Sequence, residues 1–342
     1  MRTIRVLVLK LFFLFVLLEC FLEECVAVPV IVVVSGHPGD FSFGTSIGEM
    51  AKRWEEAASR SGAEWRLVSA QEEGGGESQK SRIRSALSAV TASDSEPVWV
   101  VLNGHGNAQG RVPRFALTGE DLGADELKEM LAPIKRPVVL VLGFAGSGAF
   151  VKSLAAKDRI LLSATRSGAE ENWTRFGQFF SQAIIDPAAD NDGDGQVSVF
   201  EAWSFACLRV DGFYKERGRL ATEHSVLEDT GVGKAFGREA FDQDGAFLET
   251  KEGVSVSPGV LARESVLLSS PLEAAMSAEE RSKRAELETE LRRLRGRKSD
   301  LTPEFYRGSL ETIFLSLGGL YEETRKRMAS EISNPPTPLG GK

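Results

Sequence analysis

Short apolar runs recur along the first half of the chain, and stretches with apolar residues on one helical face separate them. Val30–Val34, Pro97–Leu102, Pro137–Leu142 and Arg159–Ala164 are nearly continuous apolar segments, as expected of strands buried on both faces of a parallel sheet. Glu64–Ser69 reads as a further strand. The intervening helical stretches are one with Ile47, Met50, Ala51, Trp54, Ala57 and Ala58 on a single face, one near 79–91, one at Asp125–Leu131 and one at about 172–185. Alternation of this kind implies right-handed crossovers, so the pattern predicts an α/β fold with a doubly wound, mostly parallel sheet flanked by helices. Ligands in such sheets sit beyond the carboxyl ends of the strands. The turns Asn103-Gly-His105-Gly106 and Gly143-Phe-Ala-Gly-Ser-Gly148 both lie there.

The pattern changes after Val199. A helix is expected from Val199 to about Lys215, closing an α/β domain over 28–215. Residues 216–270 are rich in glycine and read as a loop-rich connection, with Glu252–Val256 and Gly259–Leu268 as short strands or an extended arm. Ser277-Ala-Glu-Glu280 fits a capping box, and Leu287, Leu291 and Leu294 follow at 4-3 spacing. Thr302-Pro303 starts a second helix whose apolar stripe is Phe305, Leu310, Ile313, Phe314, Leu317, Leu320 and Tyr321. Residues 271–330 therefore predict a C-terminal helical hairpin, too short to establish a coiled coil, which docks on its own domain or offers 277–329 to a partner helix. The tail 331–342, with Pro335-Pro-Thr-Pro, is expected to be disordered.

At the other end, Arg2 and Arg5 precede the apolar run Leu11–Leu18, and Cys25-Val-Ala27 offers a small-residue exit before Val28-Pro29. Residues 1–27 read as a signal peptide, with Glu19, Glu23 and Glu24 unusual for one. Export to the periplasm, the envelope or the extracellular space is the expectation, with an uncleaved anchor as the alternative.

With 42% hydrophobic and 26% charged residues in 342, the chain is too apolar for a disordered protein. A net charge of −8 disfavours a nucleic-acid partner. Three cysteines, at 20, 25 and 207, exclude a disulfide scaffold, and loss of the N-terminal segment would leave Cys207 alone. Cys207 falls on a helix with Phe200, Trp203, Val210 and Phe213, where a buried thiol keeps a high pKa and is inert.

The two turns carry a resemblance. A strand ending in His105-Gly106, followed about forty residues later by a strand ending in a small-residue turn with Ser147-Gly148, resembles the caspase/legumain clan of cysteine peptidases. Phe176–Ile185 with the acidic loop behind it looks like bacterial caspase-like proteins. The resemblance covers roughly 30–210. It implies a catalytic histidine at His105 and a nucleophilic cysteine at the position that Ala145 occupies. A methyl group neither ionises nor attacks a carbonyl, so the expectation is a pseudopeptidase. An extended peptide or a partner protein would then bind in a crevice between His105 and the Ala145–Ser147 turn, as the resemblance implies. His37 reads as a turn residue and His224 as a solvated loop residue.

A serine-hydrolase reading starts from Ala145-Gly-Ser147-Gly-Ala149, which has alanines where a nucleophile elbow has glycines. Ser147 would be the nucleophile; its bland alternative is a helix cap. A third reading is a purely structural, calcium-stabilised envelope protein.

Asp190-Asn-Asp192-Gly-Asp194-Gly195-Gln196-Val-Ser198-Val-Phe-Glu201 fits the twelve-position EF-hand calcium loop. Asp190, Asp192 and Asp194 supply carboxylates, Gln196 its backbone carbonyl, Ser198 the often water-mediated ninth position and Glu201 the closing bidentate group. Ca2+ is the expected ligand. Asp186-Pro187 interrupts the entering helix, and a lone loop suggests a structural site of extracellular-type affinity. Asp242-Gln-Asp244-Gly245 is too short for a second site.

Overall fold

A computed structural model describes residues 28–70, 76–90, 96–107, 112–242, 245–248 and 257–333. Residues 1–27, read above as a signal peptide, with Cys20 and Cys25, the segment Glu252–Val256, Asp244 and residues from 334 onward lie outside the described residues.

The apolar runs become strands within a residue of where their composition puts them. β1 is Val30–Ser35, β2 Glu64–Val68, β3 Val98–Asn103, β6 Val138–Gly143 and β7 Arg159–Ser163. The helices between them are α1 (Phe41–Ser61), α2 (Gln79–Ser88), α3 (Ala124–Leu131) and α4 (Val151–Leu154). α5 (Phe176–Ala183) and α6 (Val199–Glu216) follow β7. The sheet order is β2-β1-β3-β6-β7, all parallel. The chain therefore leaves β1 to one side and returns on the other, which puts the topological switch point between β1 and β3.

Strand residues alternate between two buried layers. Ile31, Val33, Trp99, Val101, Val139 and Val141 face α1, α5 and α6, whose Trp54, Phe176, Phe180 and Trp203 fill that side. Val32, Val100, Leu102, Leu140 and Leu142 face α2 and α3 with Ile83, Leu87, Leu127 and Phe150. Burial on both sides explains why these runs are continuous and not alternating.

Two features escaped the pattern. β4 (Gly106–Asn107) and β5 (Arg114–Phe115) form a small antiparallel hairpin over the carboxyl edge of the sheet. β8 (Val226–Glu228) and β9 (Phe236–Gly237) extend the main sheet antiparallel beyond β7. The α/β domain thus continues past 215 into the segment read as a loop-rich connection. Strands of two and three residues are too short to show a period. Gly259–Leu268 is also corrected: its start is a short helix, α7 (Val260–Glu264), held by Asp229, which accepts from Gly259 N at 2.8 Å and Ala262 N at 3.2 Å.

After α8 (Pro271–Ala274), α9 (Ala278–Gly296) and α10 (Pro303–Ser333) make the hairpin, and Ser277 and Glu280 form the capping box. Leu287, Ile313, Leu320 and Thr324 are buried in it, and Arg327 reaches back to Glu280 at 2.6 and 2.7 Å. Phe305 and Phe314, placed in the apolar stripe by sequence, are exposed on α10. Among the described residues no helix is long and apolar enough to cross a membrane.

Candidate functional site

The registers bring the site to one height. Ser35 pairs with Asn103, and Asn103 with Gly143, so the loops after β1, β3 and β6 leave the sheet side by side. The first residues beyond β3 are Gly104, His105 and Gly106. A Cβ on Gly106 would stand 1.7 Å from the Ala145 carbonyl oxygen, so only glycine lets the histidine turn close onto the Ala145 turn. These two turns meet backbone to backbone at Gly106. The switch point is also covered: His37 N donates to Ala116 O at 3.0 Å, and Ala116 N donates to His105 O at 2.9 Å. Phe115 is fully buried beneath this lid.

His105 itself is half-buried in an aromatic cluster. Its ring meets Phe43 edge-on at 4.7 Å and Trp173 at 4.6 Å, and those two rings lie 4.6 Å apart. Its Nε2 lies 3.0 Å from the Pro38 carbonyl, which can only accept, so Nε2 carries the proton and donates it there. Burial lowers the imidazole pKa, against the opposing pull of the Pro38 carbonyl and the Asp40 carboxylate. The ring partners were not singled out from sequence, although each has a local cause. Asp40 caps α1 by accepting from Ser42 N at 2.8 Å and Phe43 N at 3.3 Å, which sets Phe43 in the first turn.

Trp173 is set by a buried carboxylate that sequence reading also passed over. Glu223 accepts from Arg175 N at 2.8 and 2.9 Å, from Phe176 N at 3.0 Å and from Tyr214 OH at 3.2 Å. It thereby fixes the start of α5, a few residues beyond Trp173. Burial, only partly offset by these donors, pushes its pKa up to about 7. Its neighbour His224 is not merely solvated, since Nδ1 lies 2.8 Å from Glu170 Oε1, and the Glu170 carbonyl accepts from Gly146 N at 2.8 Å. His37 is a turn residue as expected, its Nδ1 accepting from Gly39 N at 3.1 Å.

Ser147 is fully buried. Its Oγ accepts from Ser163 Oγ at 2.8 Å and sits 3.3 Å from Thr165 Oγ1. It begins a 3-10 turn, Ser147–Phe150, without capping it; Thr165 Oγ1 takes the Gly148 N–H at 2.9 Å instead. A hydroxyl so enclosed presents nothing to a substrate carbonyl, so the elbow reading is corrected, as is the cap. Cys207 lines a small cavity of about 120 Å³ with Glu223, His224 and Ser225, away from the His105 rings. Burial, then the Asp211 charge, pushes its thiol pKa far up.

Open volume lies on the other side of the His105 loop. A cleft of about 850 Å³ runs between α1 and the edge strand β2, lined by His37, Pro38, Asp40, Phe41, Trp65 and Leu67.

In the acidic loop, carboxylate oxygens of Asp190, Asp192 and Asp194 all lie within 4.8 Å of one another. Gly195 takes φ +86°, the left-handed turn that brings Asp194 back. Burial first, then the charges of Asp194 and Glu201, raise the Asp192 pKa. Three hard oxygen donors at this spacing fit a cation such as calcium. Glu201 closes the loop through backbone donors: Oε1 accepts from Asn191 N at 2.9 Å and from Asp192 N at 3.2 Å, and Oε2 accepts from Ser198 N at 2.9 Å and from Ser198 Oγ at 2.8 Å. The Ser198 hydroxyl is thus engaged in capping α6. The Gln196 side chain accepts from Ser270 N at 3.0 Å, joining the loop to the start of α8. The entering side is a 3-10 turn, Pro187–Ala189, consistent with the break at Asp186-Pro187.

No family model matches the chain, and no characterised protein matches it by sequence. Among solved structures the chain is similar to caspase-1 from Spodoptera frugiperda, at 11% identity and a TM-score of 0.38, over 59% of this chain and 86% of that one. It is also similar to the Drosophila initiator caspase Dronc, at 14% identity and a TM-score of 0.35, over 61% and 81%. The α/β fold class itself rests on the sheet order and registers of this chain.

Proposed function

We propose that this protein is an exported pseudopeptidase of caspase/legumain type, a calcium-braced α/β module that binds a peptide or protein without cleaving it. The observation that carries the reading is the contact of Gly106 with the Ala145 carbonyl, which sets the histidine turn against a turn with a methyl group at the nucleophile position. Attack on a carbonyl needs an ionisable or activated nucleophile, and neither the buried Ser147 nor Cys207 is beside His105. The Nε2–H of His105 is committed to Pro38, and its ring to Phe43 and Trp173.

The cleft between α1 and β2 supports a peptide partner on the α1 side of His105. Phe305, Phe314 and Leu315, exposed on α10, support a partner helix there. Asp190, Asp192 and Asp194 would hold a calcium ion, with the Gln196 backbone carbonyl and Glu201 as further ligands; bound calcium would cancel the repulsion among the carboxylates and brace the entry to α6.

A library of fluorogenic peptides tests the central claim. No turnover is expected; turnover that His105→Ala abolishes would replace this reading with a working hydrolase. Export is tested by sequencing the amino terminus of the protein recovered outside the cytosol. A start near Val28 is expected, and an intact Met1 removes the export claim.

A further inference from the structure

The outward face of α5 and α6 carries a chemistry that neither the crevice nor the acidic loop uses. Arg217 Cζ lies 3.8 Å from the centroid of the Phe213 ring, and Arg175 Cζ lies 4.8 Å from the same ring. Further up α6, Arg209 lies 5.7 Å from Phe179 and 5.9 Å from Phe205. Phe179 and Phe213 meet edge-on at 6.5 Å, so the rings form a continuous floor across the two helices. Arg217 Nη1 donates to the Phe213 carbonyl at 3.1 Å, and the remaining N–H groups of Arg217, with those of Arg209, can meet a planar, two-oxygen acceptor.

Of the carboxylates near it, Glu223 is buried and takes the Arg175 backbone N–H. Glu216 reaches Arg217 at 4.0 Å, with both side chains well exposed, and Arg209 makes no ion pair among the described residues. In a chain of net charge −8, three guanidiniums gathered on one face are a local reversal of sign. Leu208, next to Arg209 in the chain, is exposed on the flank of α6, and Leu220 stands 90% exposed just past the helix end.

We propose that this face is a docking surface for an acidic protein segment carrying aliphatic side chains. Charge complementarity sets the occupant: each guanidinium edge takes one carboxylate in a forked pair. Arg209 lies on α6 and Arg217 is its C-cap, eight residues on and ~12 Å along the axis. Carboxylates two turns apart on an acidic helix, or four residues apart on an extended strand, match that span. Nucleic acid fits less well, because the ring faces on which bases would stack are occupied by guanidiniums. The proposal deepens the reading of a binding module by naming a surface and a partner chemistry, and its test involves neither the His105 cluster nor the acidic loop.

The test uses the full chain and a labelled synthetic peptide of repeated Leu-Glu-Glu-Leu, beside a Leu-Gln-Gln-Leu peptide and an oligothymidylate. At about 50 mM salt the acidic peptide is expected to bind and to weaken as salt rises. The Arg209→Ala/Arg217→Ala variant should lose about tenfold in affinity, and Arg209→Lys/Arg217→Lys severalfold, because lysine keeps the charge and loses the fork. Amide shifts in the unaltered protein should concentrate on 175–179 and 205–217, a readout that needs no variant. The proposal is overturned by no binding, by binding that both variants retain in full, by equal binding of the Gln peptide or the oligothymidylate, or by shifts centred on 36–45 or 190–201.

Discussion

Around His105 aromatic rings shield one titratable group, and around Asp190 several charges are crowded together. The imidazole is roofed by Phe43 and Trp173, its donor is bound to a backbone carbonyl, and burial lowers its pKa. In the loop, three carboxylates stand within 4.8 Å of one another at the surface, and Asp192 is pushed the other way, towards the protonated acid. Packing stabilises the first arrangement by keeping water from the imidazole. In the loop, the backbone N–H groups of Gly193, Asp194, Gly195 and Gln196 donate to the three carboxylates and offset part of their repulsion. The contrast is between one titratable group shielded by rings and several exposed to one another.

The largest effect is expected where the first region is sealed. Gly106→Ala drives a methyl into the Ala145 carbonyl, and neither backbone can yield without breaking the β3 and β6 registers. A loss of several kcal/mol, on the order of 3 or more, is expected from such overpacking against backbone. A thermal melt unchanged from the parent would mean that the two turns are not in contact. Calcium comes next. Saturation at about a hundred times the dissociation constant adds ~2.7 kcal/mol, which for a domain of this size is a rise of about 5–10 °C in Tm. Asp190→Ala should abolish the rise; a melt indifferent to millimolar calcium in the parent would leave the loop as bare turn geometry.

Smaller effects follow from the two titrating groups behind the rings. Glu223 has a folded pKa raised to about 7, so its contribution is present below its ordinary carboxylate range and is lost as pH rises through 7. Glu223→Gln should therefore gain Tm relative to the parent at pH 8 and not at pH 4; equal curves at both would mean that the carboxylate is not buried. His105 has the opposite limb. Its folded pKa is depressed, so the neutral ring is favoured and stability falls as pH drops below about 6.5. Trp173→Ala opens one side of the ring and should return the imidazole pKa towards its ordinary value, read from the ring proton shifts. An unmoved titration would show that Trp173 does not shield it.

The sheet was legible because its strands are buried on both faces, and a run such as Val30–Val34 has few other homes. The clustering of Asp190, Asp192 and Asp194 was legible because those carboxylates are local, within five consecutive positions. The aromatic roof was not legible, since Phe43, His105 and Trp173 come from three separate loops and helices. The loop-rich region 216–270 hid β8 and β9 because three- and two-residue strands borrow their hydrogen bonds from a sheet that already exists. Ser147 sat in a motif-like setting, yet its burial depends on Ser163 and Thr165 at the end of a neighbouring strand.

Taken alone, the amino-acid order determined the alternation of strands and helices, the methyl group at 145 and the spacing of the acidic residues. Each of these is a property of covalent identity or of a few adjacent residues. Only the folded chain decided that the switch point is lidded by 112–116, that the histidine donates to Pro38, that Ser147 is sealed and that Glu223 titrates near neutrality. Accessibility and pKa depend on which distant groups exclude water from a side chain, and that exclusion exists only once the sheet has brought them together.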